Sequence, residues 1–321
     1  MTALALTDDD HEHLLRAAVA APSMHNTQPW RFRFAGTTVE VYRDRARELP
    51  AEDPERRMLF VSLGAAIFNL RVGAAARGYG TRVRQLADEL RPDLVALVEL
   101  GGPADARLAE LGPYLVLRRT NRRPFRNDRV PAEVRTGLAF AARSERSDLQ
   151  WLDRLSRRWW LRMATSDAMA ADDENPARTA ERRKWVGGSR SVDGVPTSAL
   201  GPRDAHNRAV VRDLAATATD LERPPGAFEL EPQLAVLATR FDGPGEWLRA
   251  GQAMERVLLE ATRHGVATSL LNQVIEHSDL RWLIHDPLGP WQHPQAVIRF
   301  GYGPPVPPTP RRPIADVVVP G

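Results

Sequence analysis

Cysteine is absent from the 321-residue chain, which excludes disulfides, iron–sulfur clusters and a thiol nucleophile. No unbroken run of 18 apolar residues occurs, so no membrane span is expected. The opening MTALALTDDDHEH lacks the basic stretch and apolar core of a secretory signal, and a cytoplasmic location is the expectation. Lysine is all but missing, with Lys184 alone among 44 basic residues. Planar guanidinium suits phosphate clamping. GC-rich coding produces the same bias, however, and composition is taken as the main cause. A large excess of either sign of charge is missing too. The 44 basic and 41 acidic residues leave a net +3, too little for a nucleic-acid binder with a concentrated basic face.

What remains is a chain with 43% apolar and 26% charged residues, as in a globular protein, and long enough for about two domains. Periodicity predicts helices over 9–20, 62–77, 131–142, 153–170, 208–222 and 246–264. Strands are expected at 31–42, around the turn Ala35-Gly36, and at 94–100, 114–117 (YLVL), 234–239 and 296–303. From Asp172 to Asn207 the periodicity is lost, and a loop of that length is usually functional or disordered.

Internal matches order these elements. Gly64-x-Ala66 leads through Gly78 to Thr81, and Gly251-x-Ala253 leads through Gly265 to Thr268. Both glycine intervals are 14 residues, each Thr follows its Gly by three, and a strand ending in Gly101 or Gly301 comes next. Ala20-Ala21-x-Ser23, with Trp30 seven later, pairs with Ala141-Ala142-x-Ser144 and Trp151. The chain is read as two tandem copies of one α+β unit, 1–112 and 113–321, with 172–207 as a candidate lid insertion. Small residues (Gly64, Ala66, Gly73, Ala74, Gly251, Ala253, Ala261) let the copies pack closely and are assigned no chemistry.

Several motifs carry nothing. Gly78-Tyr79-Gly80 and Gly301-Tyr302-Gly303 lack the third glycine of a dinucleotide fingerprint. His11-Glu12-His13 is not a zinc motif, and the other histidines have no metal spacing. Gly187-Gly188-Ser189 is not a nucleophile elbow.

The informative stretch is Ala17–Phe32, AAVAAPSMHNTQPWRF, a helix that breaks at Pro22 into turn-forming polar residues and closes on Pro29-Trp30 at the head of a strand. Composition alone favours a capped loop with a Trp anchor. The segment resembles the P-S-x-x-N-x-Q-P-W signature of FMN-dependent nitroreductases, matching at Pro22, Ser23, Asn26, Gln28, Pro29 and Trp30. A second stretch, Arg118–Phe125 (RRTNRRPF), resembles that family's R-R-S-x-R motif with Thr120 in place of Ser. The order is reversed, since the Arg motif trails the loop by about a hundred residues instead of preceding it. Taken together, A-P-S-x-H-N-T-Q-P-W and R-R-T-N-R-x-P are similar to the mycobacterial Acg family.

This resemblance implies an α+β nitroreductase-like fold whose two halves mimic the family homodimer, central sheets flanked by helices, with FMN at the interface. The loop would lie along the flavin ring and the Arg motif would grip the phosphate and ribityl chain. One composite site would then combine Pro22, Ser23, Met24, His25, Asn26 and Gln28 with Arg118, Thr120, Arg122, Arg311 and Arg312. For His25 a turn role is equally open. The reciprocal site is spoiled, because Arg143 stands where Pro22 does and Ser147 where Asn26 does. One FMN per chain follows, and a monomer is expected. Three charge-assisted bonds at roughly 1.5–3 kcal/mol each, with ring burial, reach about −8 to −10 kcal/mol, which is micromolar or tighter. Two functions fit the resemblance. One is an oxidoreductase passing electrons from NAD(P)H to nitro or quinone-like acceptors. The other is a flavin-sequestering protein with 172–207 folded over FMN.

Overall fold

Two four-stranded antiparallel sheets frame the protein, one in each half, and the halves meet through their long helices. The computed structural model describes residues 5–85, 90–205, 211–215, 223–284 and 292–319. In the first half, α1 (Asp8–Val19) leads to the hairpin β1 (Trp30–Ala35) and β2 (Thr38–Arg43), then α2 (Arg57–Ala76), β3 (Tyr79–Gln85), β4 (Leu94–Pro103) and the short α3 (Ala106–Ala109). The second half holds α4 (Ala132–Ser144), β5 (Asp148–Trp151), α5 (Leu155–Glu174), α6 (Pro176–Trp185), and the two-residue strands β6 (Arg203–Asp204) and β7 (Pro225–Gly226). It continues with β8 (Gln233–Thr239), α7 (Pro244–Arg263), β9 (Ala267–Leu270), α8 (Gln273–Glu276), α9 (Ser278–Arg281) and β10 (His293–Gly301). The strand orders are β1-β2-β4-β3 and β5-β8-β10-β9. The second order is the first with β5, β8, β10 and β9 in place of β1, β2, β4 and β3.

Local chemistry explains the elements that aim the loop after α1. Thr7 caps that helix reciprocally with Asp10, three acids occupy its first turn, and Arg16 sits in its last. Val39 and Val41 of β2 and Val98 of β4 alternate into the core, as a half-buried strand requires. β8 and β10 are buried almost throughout, because helices cover their sheet as well.

α2 and α7, each of 20 residues, cross at the centre. By length and apolar content α2 could span a membrane, but 89% of its apolar window is buried inside the molecule. The crossing is made by the glycines singled out in the sequence. A Cβ on Gly64 would stand 2.1 Å from the Leu248 carbonyl oxygen, and one on Gly251 would stand 2.0 Å from that of Val61. Backbone therefore meets backbone there, and no side chain fits. Just beyond each helix the chain turns through Gly78 (φ +84) and Gly265 (φ +68) into an edge strand carrying Thr81 or Thr268.

The halves differ where β1 meets β2. That hairpin closes over Gly36-Thr37, whereas β5 and β8 are joined by residues 152–232, within which the 172–207 stretch lies. A buried charge cluster docks this insertion on the first half. Arg182 donates to Glu52 and Asp172, each at 2.7 Å, and Arg178 donates to Asp172 at 2.6 Å. Arg212 reaches Glu276 at 2.7 Å, Asp172 at 2.9 Å and Glu52 at 3.1 Å. His277 and His25 complete the cluster against Asp172 and Glu52. Burial alone would raise Glu52, but His25, Arg212 and Arg182 hold its carboxyl at about 2.

Some expectations are corrected. YLVL is no strand: Gly112–Tyr114 is a 3-10 turn, and Val116 and Leu117 are exposed while Leu115 is buried against Phe68, Val72 and Leu259. The aperiodic 172–207 contains a helix, α6, capped by Asn175 with Pro176 at its first position. The helix expected over 208–222 falls mostly outside the described residues, and 211–215, which are described, are not helical.

Two outcomes follow. Gly251→Ala forces α2 and α7 apart and lowers unfolding stability by about 1–3 kcal/mol or more, read from the urea midpoint, whereas alanine at Gly36, which faces open space, strains only its own turn. Glu52→Gln lowers stability by about 3 kcal/mol at pH 7. Because the folded carboxyl lies below its ordinary value of 4.5, its contribution is whole above that pH and fades toward about 2. Thermal unfolding of the two proteins therefore converges as pH falls through this window.

Candidate functional site

The loop after α1 is held in a conformation its residues do not choose alone. His25 (φ 48), Asn26 (φ 57) and Gln28 (φ 52) all occupy the left-handed region, which costs about 1 kcal/mol or more each unless surroundings impose it. Three segments do so. From within, the Gln28 amide donates to the Ser23 hydroxyl at 2.9 Å. From the insertion, the carbonyls of Val192 and Gly194 accept the side-chain amides of Gln28 and Asn26, each at 2.9 Å. From the C-terminal tail, Pro310 accepts from Asn26 at 3.0 Å, and the Arg312 amide donates to the Gln28 side chain at 2.8 Å. His25 Nε2 meets Glu52 in the charge cluster.

The Arg motif is fixed from the opposite side. Asn121 N–H donates to the Thr268 carbonyl of β9 at 2.8 Å, and its side-chain amide donates to Pro304 at 2.8 Å. Between loop, motif and tail lies a cavity of about 580 Å³. Seven arginines line it: Arg16, Arg118, Arg119, Arg122, Arg123, Arg311 and Arg312. Among its described lining residues there is no carboxylate. Pro22, Ser23, Asn26 and Thr120 line it as well, so Asn26 and Arg118, from opposite halves, share one cavity.

These guanidinium groups are differently employed. Arg311 caps α1, donating to the carbonyls of Val19 (2.7 Å), Ala20 (3.1 Å) and Ala21 (3.3 Å). Burial, with Arg118 beside it, pushes Arg311 down to about 9. Among the described residues Arg122 donates to the Ala199 carbonyl, at 3.1 Å, and burial together with Arg212 pushes it down to about 10. Arg118 is buried against Glu255 at 3.3 Å, yet its Nε and Nη1 have no hydrogen-bond acceptor. Arg312 is committed elsewhere, to Asp44 at 3.1 Å and the Gln28 carbonyl at 3.1 Å. The cavity thus presents desolvated cations crowded on one another, an arrangement that an anion relieves.

A narrow slot of about 90 Å³ adjoins the cavity, and Pro22, Ser23, Thr120 and Arg122 belong to both. Its walls are mainly apolar and sulfur-bearing: Met24, Met58, Val61, Met254 and Leu270, with Ser62, Ser269 and Asn272 as polar points. His25, Arg212 and Glu276 of the charge cluster reach it. The insertion contributes Val195, Ser198, Ala199 and Gly201 to the lining of the cavity and Val211, Arg212 and Leu214 to that of the slot. Gly201 (φ +76) lies so near Arg122 that a Cβ would stand 2.3 Å from its carbonyl oxygen.

Of the residues expected from sequence, Pro22, Ser23, Asn26, Arg118, Thr120, Arg122, Arg311 and Arg312 converge on the cavity, and Met24 and His25 on the slot. Gln28 lines neither. It is wholly buried and braces the insertion and the tail. The Asn26 side chain is consumed in the same way, so its polar atoms are not free for a ligand. Arg16, Arg119, Arg123, Glu255 and the slot methionines Met58 and Met254 were not anticipated. Arg119 and Arg123 sit inside the quoted motif, and Arg16 lies one turn before the loop. No metal-binding cluster occurs among the described residues.

No family model matches the chain. Curated relatives do. "Putative NAD(P)H nitroreductase acg" of Mycobacterium tuberculosis H37Rv is 31% identical over 328 residues, covering 97% of this chain and 96% of that protein. "Uncharacterized protein Rv3127" of the same organism is 31% identical over 315 residues, covering 94% and 90%. Among solved structures, a nitroreductase with bound FMN from Desulfitobacterium hafniense aligns at 12% identity and TM-score 0.41, over 65% of this chain and 97% of that one. With the acg relative matched along nearly the whole of both chains, this protein belongs to the nitroreductase family, in its Acg-like branch.

Proposed function

We propose that the chain binds one FMN in the composite cavity and works as an NAD(P)H-dependent oxidoreductase on nitro or quinone-like acceptors. The observation that carries this reading is the arginine-lined cavity, without a lining carboxylate, that adjoins a methionine-lined slot. The phosphate fits the cationic end, where Arg118 offers two buried guanidinium nitrogens without acceptors and Arg122 and Arg311 are under-neutralised. The planar ring is assigned to the part of the cavity that opens toward the slot, whose lining includes Met24, Met58, Met254 and Leu270. When bound, flavin itself supplies hydride and single-electron chemistry, so the protein need provide no obligatory acid or base. What the chain's own residues do is position and exclude. Ser62 and Asn272 offer polar contacts, the charge cluster holds His25 in place, and Val211 and Leu214 of the insertion add apolar surface to the slot.

The same reading takes the chain as two fused nitroreductase-like halves, 1–112 and 113–321, that replace a homodimer, with the 172–207 stretch as lid. Support comes from the matching strand orders and from the loss of the second loop. Ten residues separate α1 from β1, but only 145–147 separate α4 from β5. A monomer with one cofactor and no nucleic-acid or membrane partner is the consequence, and a cytoplasmic location fits it.

A second reading, flavin sequestration without turnover, is favoured by one observation. Val211, Arg212 and Leu214 of the insertion line the slot, and Asp193, beside Gly194, is clamped by Arg47 at 2.9 Å, which suits a segment held over bound flavin.

The purified protein should be yellow and release FMN on denaturation, and a colourless protein that ignores added FMN contradicts both readings. In a fluorescence titration, Arg122→Ala should weaken FMN binding by about 10- to 100-fold, the loss of one charge-assisted contact. Anaerobic mixing with NADPH or NADH separates the readings: rapid bleaching marks the enzyme, and bleaching by dithionite alone marks the holder.

A further inference from the structure

Beneath the arginine cavity lies one carboxylate that the reading above does not use. Glu255, on α7, is fully buried, and its nearest charge is Arg118, whose Nε stands 3.3 Å away. Neither of its oxygens receives a hydrogen bond, and neither does the Arg118 Nε–H find an acceptor in hydrogen-bonding geometry. The charged groups facing Glu255 are Arg118, from the segment after α3, and Arg311 of the tail. α2 presents the uncharged Asn69 to it, short of hydrogen-bonding geometry. The next residue on α7, Arg256, is taken up by Glu145 beyond the end of α4 at 2.9 Å, and Arg71 of α2 also goes to Glu145 at 2.7 Å. Among the described residues Glu255 therefore has no other cation to neutralise it, and both of its cations also serve the cavity.

We propose that Glu255 is a replaceable counter-ion: it pairs with Arg118 while the cavity holds no anion, and takes up a proton from solvent when a phosphate dianion arrives to claim the same cations. This rests on the flavin reading for the identity of the anion, but not for the exchange itself. The carboxylate becomes a neutral carboxylic acid by adding one proton, and no other bond changes. The direction agrees with its surroundings, because burial already pushes the Glu255 carboxyl up to about 7 against the opposing pull of Arg118. A dianion drawing on Arg118 and Arg311 raises it further. Anion affinity must then fall as pH rises, since above about 7 each binding event has to recruit its proton from scarcer supply. The second ionisation of a phosphate monoester, near pH 6, is complete below this window and does not cause the trend.

The test is calorimetry of FMN binding between pH 7 and 9 in buffers of different ionisation enthalpy, with riboflavin as the phosphate-free control. Wild type should take up a large fraction of one proton per FMN at pH 8, and its Kd should rise severalfold per pH unit. Riboflavin binding should show neither effect. Glu255→Gln, which mimics the protonated form, should bind FMN more tightly at pH 8 than wild type, with most of the proton uptake gone and the remaining pH dependence confined to the range near 9 where Arg311 titrates. Absence of uptake in wild type, or unchanged uptake in Glu255→Gln, overturns the proposal while leaving the flavin reading intact. If the variant does not fold, the wild-type proton count decides. Should FMN fail to bind, sulfate, a dianion throughout the range, is the probe. The same pH-linked binding of sulfate keeps the counter-ion exchange and ends the flavin reading, and binding of neither ion ends both.

Discussion

Two glycines at one helix crossing set the geometry on which everything else rests. Gly64 and Gly251 let the backbones of α2 and α7 touch, and the residues within a turn of that contact build the site. Val61 and Ser62 from α2 and Met254 from α7 wall the slot, while Glu255 lies under the cavity. Backbone contact between packed helices leaves little compressible space. A side chain at the crossing would therefore displace both walls together instead of being absorbed locally.

Electrostatics divides the interior into two regions of opposite character. Around Glu52, Asp172 and Glu276, carboxylates and guanidinium groups are matched in number and mutually bonded, so the cluster works as a fastener between the insertion and the first half. Around the cavity seven arginines lie together, with Glu12 against Arg16 and Asp44 against Arg312 at its margins and Glu255 alone among the described carboxylates behind Arg118. A buried ion pair that is complete specifies an arrangement, whereas an incomplete one specifies a ligand. Arg212 and Arg122 mark the border, since Arg212 belongs to the fastener and bears electrostatically on Arg122.

Much of this was legible in the sequence because it was written in backbone demands and apolar spacing. The break at Pro22, the paired Gly–Gly intervals and the amphipathic α7 all appear where expected. Three of the four edge strands of the large sheets escaped. β3, β5 and β9 are edges with short or half-exposed faces, so their alternation is weak. YLVL misled because a four-residue apolar run does not distinguish a strand from a turn that buries one leucine. α6 lacks an apolar stripe altogether and is anchored instead through Arg178 and Arg182, although the Asn175-Pro176 cap was there to be read. Glu255 left a trace as well. It shares a face with Gly251, Met254 and Leu258, so a charge sits at a core position of an amphipathic helix. The side-chain bonds of Asn26 and Gln28 left none, since their partners lie more than 160 residues away in the chain.

The central claim is that one pocket, assembled from both halves, holds a single flavin with its phosphate among the arginines. A crystal structure of the protein grown with FMN tests it most directly. The account predicts one FMN per chain, its phosphate bonded to Arg118 and Arg122 and its ring against Met58 and Met254. A flavin bound elsewhere, a second flavin near Arg143 and Ser147, or a phosphate at the slot end would contradict it.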